Sequence, residues 1–254
     1  MDNKVRKIEI ELNLKPSPSL EKKLLLSLFD YFLHSRNQIP FSAELFKKFV
    51  ETKAIATEST EEGKPKHDWK TERQLKLASE TYEKICLVKE VIDLEFTAGA
   101  PLMFVFGGTI HTAKESYVIH FPAVNKDILP TFVNETSAVK RILLKVIEVD
   151  ELKPCDKYVL QATNVFILFQ QPEPLEDPDD LQELRNFALP RSCRKFSIQF
   201  RDSLDFEIFD ENFKELSINE KKSENESDTS IWYQSKTFVK GFKDILVNNK
   251  SIWN

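Results

Sequence analysis

Four histidines, His34, His67, His111 and His120, are the side chains in this sequence best suited to metal ligation or proton transfer. None pairs with another His or with a Cys at the spacing of a zinc site, so they predict no metal centre. His120 falls in a strand pattern and His111 in a turn, which predicts structural or exposed roles. Cys86, Cys155 and Cys193 are scattered and odd in number, favouring a reducing compartment over a disulfide framework. Cys86 reads as a packing residue of a helix. No Gly-x-Ser-x-Gly elbow is present.

Gly107-Gly108 follows a strand and invites comparison with a phosphate loop. A phosphate site needs a helix N-terminus after the glycines, and here the next element alternates like a strand. The glycines therefore read as a turn device. The acidic pairs Glu61-Glu62 and Asp179-Asp180 lie in loops with no apolar pocket, where carboxylates keep ordinary acidity and make poor general acids. No nucleophile, base and oxyanion site assemble, and no cofactor is implied. The chemistry on offer is that of an interaction protein.

One helix carries that reading. Asn134 or Thr136 begins a helix running to about Asp150, with Val139, Ile142, Leu143, Val146 and Ile147 as its buried stripe. Lys140, Arg141 and Lys145 face away from the stripe, and Leu144 lies among them. An apolar side chain flanked by cations is either ordinary surface or the centre of a partner-binding face.

The elements that must position this helix follow from hydrophobic periodicity. Ile8, Ile10, Leu12 and Leu14 alternate with polar residues as a half-buried strand. Ser17-Pro18 supplies an N-cap and first helical position. Leu20, Leu24, Leu25, Leu28 and Phe32, with Tyr31 at the margin, then trace a long amphipathic helix to about Arg36, ended by Pro40. Ser42 caps a shorter helix burying Leu45, Phe46 and Phe49. Residues 52–66 read as a flexible loop. Asp68 caps a further long helix with the stripe Leu75, Ala78, Tyr82, Ile85, Lys89, Ile92 and Phe96, stopped by Gly99 and Pro101.

Residues 102–121 then predict a hairpin at the middle of a sheet: a continuous apolar run from Leu102 to the glycines, then alternation through Tyr117, Ile119 and Phe121. Residues 165–169 predict another central strand. Residues 171–183 are acidic and broken by prolines. Phe196, Ile198 and Phe200 alternate strictly, and Leu204, Phe206 and Ile208 continue the parity. Residues 211–229 read as a second polar insertion, and 231–242 as an aromatic strand-like stretch. The order predicts an α+β fold, a largely antiparallel sheet with three main helices packed on one face.

Composition agrees with a globular chain. Of 254 residues, 41% are hydrophobic and 30% charged, a balance that supports a sizeable core. The net charge of −5 argues against general binding to nucleic-acid phosphate. No stretch approaches the roughly 20 apolar residues of a membrane span. The charged N-terminus is unlike a secretory signal, so the expectation is a soluble intracellular protein.

Four segments occur in a recognisable order. They are His34-Ser35-Arg36-Asn37-Gln38-Ile39-Pro40 with Glu44-Leu45-Phe46-Lys47-Lys48-Phe49; Leu102-Met103-Phe104-Val105-Phe106-Gly107-Gly108 with Lys114-Glu115-Ser116-Tyr117; Leu189-Pro190-Arg191; and Ile231-Trp232-Tyr233-Gln234 with Thr237-Phe238-Val239-Lys240-Gly241-Phe242. Together, across about residues 20–242, they resemble the comet adaptor family. These adaptors bind the spindle-checkpoint protein mitotic arrest deficient 2 and share its HORMA-like fold. The resemblance implies a single HORMA-like domain over 1–254, with flexible insertions near 52–66, 171–183 and 211–229. It implies a non-enzymatic adaptor of nucleus and cytoplasm, at the spindle or kinetochore in mitosis. Such an adaptor binds the closed conformer of the checkpoint protein and presents it to an AAA+ remodelling ATPase, thyroid hormone receptor interactor 13. ATP hydrolysis then belongs to the partner, and its outcome is disassembly of the mitotic checkpoint complex.

The family's binding face maps to Ser35, Arg36 and residues 141–147. Its aromatic on the second binding helix aligns with Leu144, or with Leu143 if the register slips by one, and Leu144 leaves Leu143 on the buried stripe. A glutamine of the family's first-helix patch is Ser35 here, which shortens polar reach. The family's basic loop before Leu189-Pro190 is acidic here, so no ATPase contacts carry over to it. The C-terminal stretch resembles the mobile belt of HORMA relatives, with Trp232, Tyr233, Phe238 and Phe242 holding it and the extreme tail in the protein's own groove. Those four also fit ordinary core strand positions. A second function stays open: a HORMA-type module that grips a short peptide with that belt.

Overall fold

In chain order the elements are β1 (Arg6–Glu11), α1 (Pro18–Ser35), α2 (Ala43–Glu58), α3 (Trp69–Glu95), β2 (Leu102–Gly107), β3 (Ala113–His120), α4 (Glu135–Glu148), β4 (Asn164–Gln171), β5 (Leu181–Leu184), β6 (Arg194–Arg201), β7 (Ile231–Ser235) and β8 (Val239–Lys240). The computed structural model describes residues 5–58, 69–122, 134–153, 159–171, 173–176, 178–185, 187–202, 231–244 and 251, with backbone alone for 53–58. The eight strands form one mixed sheet in the order β1-β6-β3-β2-β4-β7-β5, and β8 follows β7 along the same side of β4. Five of the seven pairings are antiparallel, while β1–β6 and β6–β3 are parallel. The fold is α+β, as expected.

β2 is the middle strand, and every residue of it is buried. Its two faces serve two cores, because strand side chains alternate. Leu102, Phe104 and Phe106 join Ile8, Ile10, Tyr117, Ile119, Ile167, Phe169, Phe196 and Ile198 under the helices. Met103 and Val105 join Phe166, Leu168 and Cys193 on the other face, where Phe187, Leu189 and Trp232 cover them. Residues of all four helices enter the first core and none enters the second. Gly107 allows β3 to start close by: a Cβ there would lie 2.7 Å from both Ala113 Cα and Thr112 O.

α1 is the central helix. Ser17 caps it by accepting from Leu20 N, and Leu24, Leu25, Leu28, Phe29, Phe32 and Leu33 are all at most 1% exposed. The helix ends as predicted near Arg36, but for a different reason. Asn37 adopts the left-handed conformation (φ 55°), and Gln38 N returns to Leu33 O, closing the helix before Pro40 is reached.

Several expectations need correction. α2 continues to Glu58, so residues 52–58 are helical where a loop was expected, and α2 becomes a fourth substantial helix. Its Ala, Lys, Thr and Glu residues propagate a helix without an apolar face, a pattern that also resembles a polar loop. Leu45, expected in its buried face, is 47% exposed, while Phe46 and Val50 are buried. In α3 the buried line is Gln74, Ala78, Thr81, Ile85, Val88, Val91 and Ile92, with Leu75, Tyr82 and Lys89 along its margin. Residues 181–184 of the acidic segment form strand β5, paired to β7. The expectations for Asp68, for Leu204, Phe206 and Ile208, and for 211–229 lie outside the described residues.

One buried carboxylate has no cation. Glu21 on α1 is fully buried, its Oε2 accepts from Gly99 N at 2.9 Å, and its Oε1 has no hydrogen-bond partner. Burial pushes its pKa up to about 7. The folded chain therefore holds this proton more tightly than the unfolded chain does. The stability it contributes is complete below the ordinary carboxylate range and is lost as pH rises to about 7 and above. Glu21→Gln should raise Tm at pH 8 by a few degrees and flatten the decline of Tm between pH 5 and 8 relative to the parent chain. Parallel thermal scans across that range check this, and coincident pH profiles would refute it.

Candidate functional site

α4 is built to face two ways. Asn134 caps it by accepting from Ser137 N, and Ala138, Val139, Ile142 and Val146 are buried. Lys140, Arg141, Leu144 and Ile147 fall on the opposite side, with Leu144 57% and Ile147 38% exposed. Ile147 was expected on the buried stripe, and this is a correction. Leu143 is half-buried against the core, so of the two adjacent leucines Leu144 is the exposed one. Lys145 turns aside, donating to Glu11 O at the end of β1 at 2.7 Å. What faces solvent is therefore an apolar pair with Lys140 and Arg141 on the turn before it and Glu148 at its far end. Covering such a pair would be worth on the order of 1–3 kcal/mol per side chain.

α4 lies alongside α1 in the same direction. At the leading ends Glu135 accepts from Ser17 and Ser19 at 3.0 Å and pairs with Lys23 at 2.6 Å. One carboxylate thus sits at the positive ends of two parallel helices. The Lys23 ammonium and the two hydroxyls hold its pKa below the ordinary range.

At the trailing ends the polar contact is Arg36, and here the sequence expectation is overturned. Arg36 was assigned to the partner-binding surface, yet it is 6% exposed. Its Nε meets Glu115 Oε2 at 3.2 Å and the Tyr117 hydroxyl, and its Nη2 donates to Leu152 O at 2.8 Å. Glu115, itself 2% exposed, also pairs with Arg194 Nη1 at 2.7 Å and accepts from the Tyr117 hydroxyl at 2.8 Å. Burial holds the Tyr117 hydroxyl pKa well above its usual value, with Glu115 adding to the effect. The buried anion draws the guanidinium inward, leaving half-buried Ser35 and exposed His34 at the α1 exit.

Glu115 was not picked out as functional from the sequence. Its signal was its parity: it shares a strand face with Tyr117 and Ile119, so it points into the core. Gln38 was missed for want of any such signal. It is fully buried, accepts from Thr163 N at 2.7 Å through its side chain, and accepts from Phe242 N at 2.7 Å through its backbone.

The four aromatic positions near the C-terminus do not share one surface. Tyr233 is 2% exposed on the helix side and its hydroxyl accepts from Leu175 N. Phe242 is 4% exposed and packs against Phe46 at 5.8 Å. Trp232 faces the other way, 6.4 Å from Phe187, and Phe238 stands against Phe166 at 5.1 Å while 39% exposed. Gly241 permits the close crossing before Phe242: a Cβ would meet Gln38 Oε1 at 2.6 Å and Thr163 O at 2.7 Å. The extreme tail after Asp244 lies, apart from Ser251, outside the described residues.

Among the described residues the titratable side chains considered first form no cluster, and His67 and Cys155 lie outside those residues. His120 is half-buried with its pKa lowered by desolvation, and His111 is exposed in the turn before β3. Cys193 is buried beside Ser116 Oγ at 3.6 Å, its thiol pushed up by burial, and Cys86 is half-buried in α3. Among the described residues no three His, Cys, Asp or Glu side chains could hold a metal ion. No described helix is long and apolar enough to cross a membrane. No family model matches the chain, and no curated protein matches it.

The two faces of α4 predict opposite responses to the same substitution. Leu144→Asp should leave Tm within about 2 °C of the parent, because an exposed position contributes little. Val146→Asp, placing a charge in a fully buried position, should cost several kcal/mol and abolish cooperative unfolding. Circular dichroism melts of the two variants check this, and a large loss in Leu144→Asp would show that Leu144 is a core residue.

Proposed function

We propose that the chain is a comet-type adaptor with a HORMA-like fold. It docks the closed conformer of mitotic arrest deficient 2 on the outward face of α4 and presents it to an AAA+ remodelling ATPase. The observation that carries the reading is the exposure of Leu144 and Ile147, with Lys140 and Arg141 on the preceding turn, on a helix whose other side is buried. An apolar centre ringed by charge is the common form of a docking hot spot. The ordered motifs from the α1 exit to Phe242 supply the choice of partner, and the α+β layering is compatible with the fold.

Within this reading the direct contacts are Lys140, Arg141, Leu144 and Ile147, with Ser35 at the rim. Arg36 and Leu143 contribute from beneath, and Lys145 braces the helix on β1. The adaptor holds its client while the ATPase supplies the work. The peptide-gripping alternative has less support. β7 is paired on both sides, to β4 and β5, so a peptide would have to displace an existing strand.

Leu144→Asp should reduce capture of the purified closed conformer at least 100-fold while the chain stays folded, as loss of a central anchor does. Lys140→Glu with Arg141→Glu should slow association and flatten or invert its dependence on salt. Pull-down and stopped-flow binding check both. Unchanged capture by folded Leu144→Asp would refute the assignment of this face.

A further inference from the structure

The carboxyl end of α4 has few donors of its own. Val149 leaves the helix with φ −66° and ψ 117°, its N–H returning to Val146 O. The short turn over 150–152 that follows has no side-chain cap. Terminal carbonyls carry the negative end of a helix dipole and need donors or a cation nearby. Leu152, the last residue of that turn and four residues past the end of α4, is fully buried, and its carbonyl accepts from Arg36 Nη2 at the α1 exit at 2.8 Å.

The rest of that guanidinium is held by β3, through Glu115 Oε2 at 3.2 Å and the Tyr117 hydroxyl, and its plane lies over the Tyr117 ring at 5.3 Å. A planar fork with several donors can satisfy a carboxylate and a carbonyl at once, which a lysine cannot reproduce. Burying such a charge is costly, and an apolar side chain often stabilises as well; what the buried charge can add is a fixed geometry. α4 is thus tied by polar bonds at its start, through Glu135 to the start of α1, and the turn that follows it is tied through Leu152 to the α1 exit. Leu144 and Ile147 stand in the two turns before the second tie.

We infer that Arg36 is a positioning residue for the docking face: by holding the 150–152 turn that directly follows α4 to α1 and the sheet, it sets where Leu144 and Ile147 stand. Its consequence for binding rests on the docking reading above. The anchoring itself does not.

Arg194→Met is the matched control, because Arg194 pairs with the same Glu115 carboxylate while the bond to Leu152 O is made by Arg36. Hydrogen exchange on the full chain should show amides 146–152 exchanging at least 10-fold faster in Arg36→Met than the change seen over the rest of the chain. In Arg194→Met those amides should change no more than the rest. Affinity for the purified closed conformer should fall about 10-fold or more in Arg36→Met and stay within about threefold in Arg194→Met. If Arg36→Met does not fold, Arg36→Lys, which keeps the cation and loses the fork, is judged by the same criteria. Exchange that rises uniformly, or equally in both variants, overturns the anchoring. A frayed α4 that still binds with parental affinity overturns the positioning role. A parent chain that does not bind the closed conformer refutes the docking reading, and exchange then decides the anchoring alone.

Discussion

The turn that ends α1 is the constraint on which the rest of the molecule depends. Asn37 takes a left-handed conformation, and this turns the residues on either side of it, Arg36 and Gln38, into the interior. Arg36 then reaches β3 and the turn after α4, while Gln38 reaches the start of β4 through Thr163 and the Phe242 backbone after β8. Segments far apart in sequence meet at this turn. Both side chains are polar and buried, so each must be fully bonded or cost free energy. Their bonds therefore specify one arrangement of helix, sheet and C-terminal strand, whereas the surrounding Leu and Phe contacts would tolerate several.

That rigid support shapes what the surface can do. Among the described residues the sheet ends in β1 and β5, and both edges are poor templates for another strand. β1 carries Lys7, Glu9 and Glu11 along its exposed face, and β5 has only four residues, two of them exposed. The face of the sheet opposite the helices is partly covered by Phe187 and Leu189. The outward face of α4 instead presents apolar groups and cations on an element braced at its start and through the turn that follows it. A pre-organised face loses little conformational entropy on binding, which suits a protein whose proposed task is to hold a client.

Much of this was legible in the sequence, where period alone determines burial. The alternation of Ile8, Ile10 and Leu12, the continuous run from Leu102, and the stripe of α1 each identify their element and its inner face. The exposure of Leu144 followed from the 3.6-residue period of α4. Period could not reveal α2 beyond residue 52, because a polar helix and a polar loop have the same composition. Nor could it reveal that Arg36 is buried, since a guanidinium goes inward only where tertiary structure brings an anion, and Glu115 lies on another element. Ile147 erred in the other direction: the helix ends one residue later at Glu148, and Ile147 is 38% exposed although Val146 beside it is fully buried.

The account stands on conformer-selective recognition by the α4 face. Its most direct test is calorimetric titration of the unmodified chain with mitotic arrest deficient 2 held separately in its closed and open conformers. Saturable binding of one closed molecule per chain, with no heat from the open conformer, is the predicted result. Equal affinity for both conformers, or binding of neither, would contradict it.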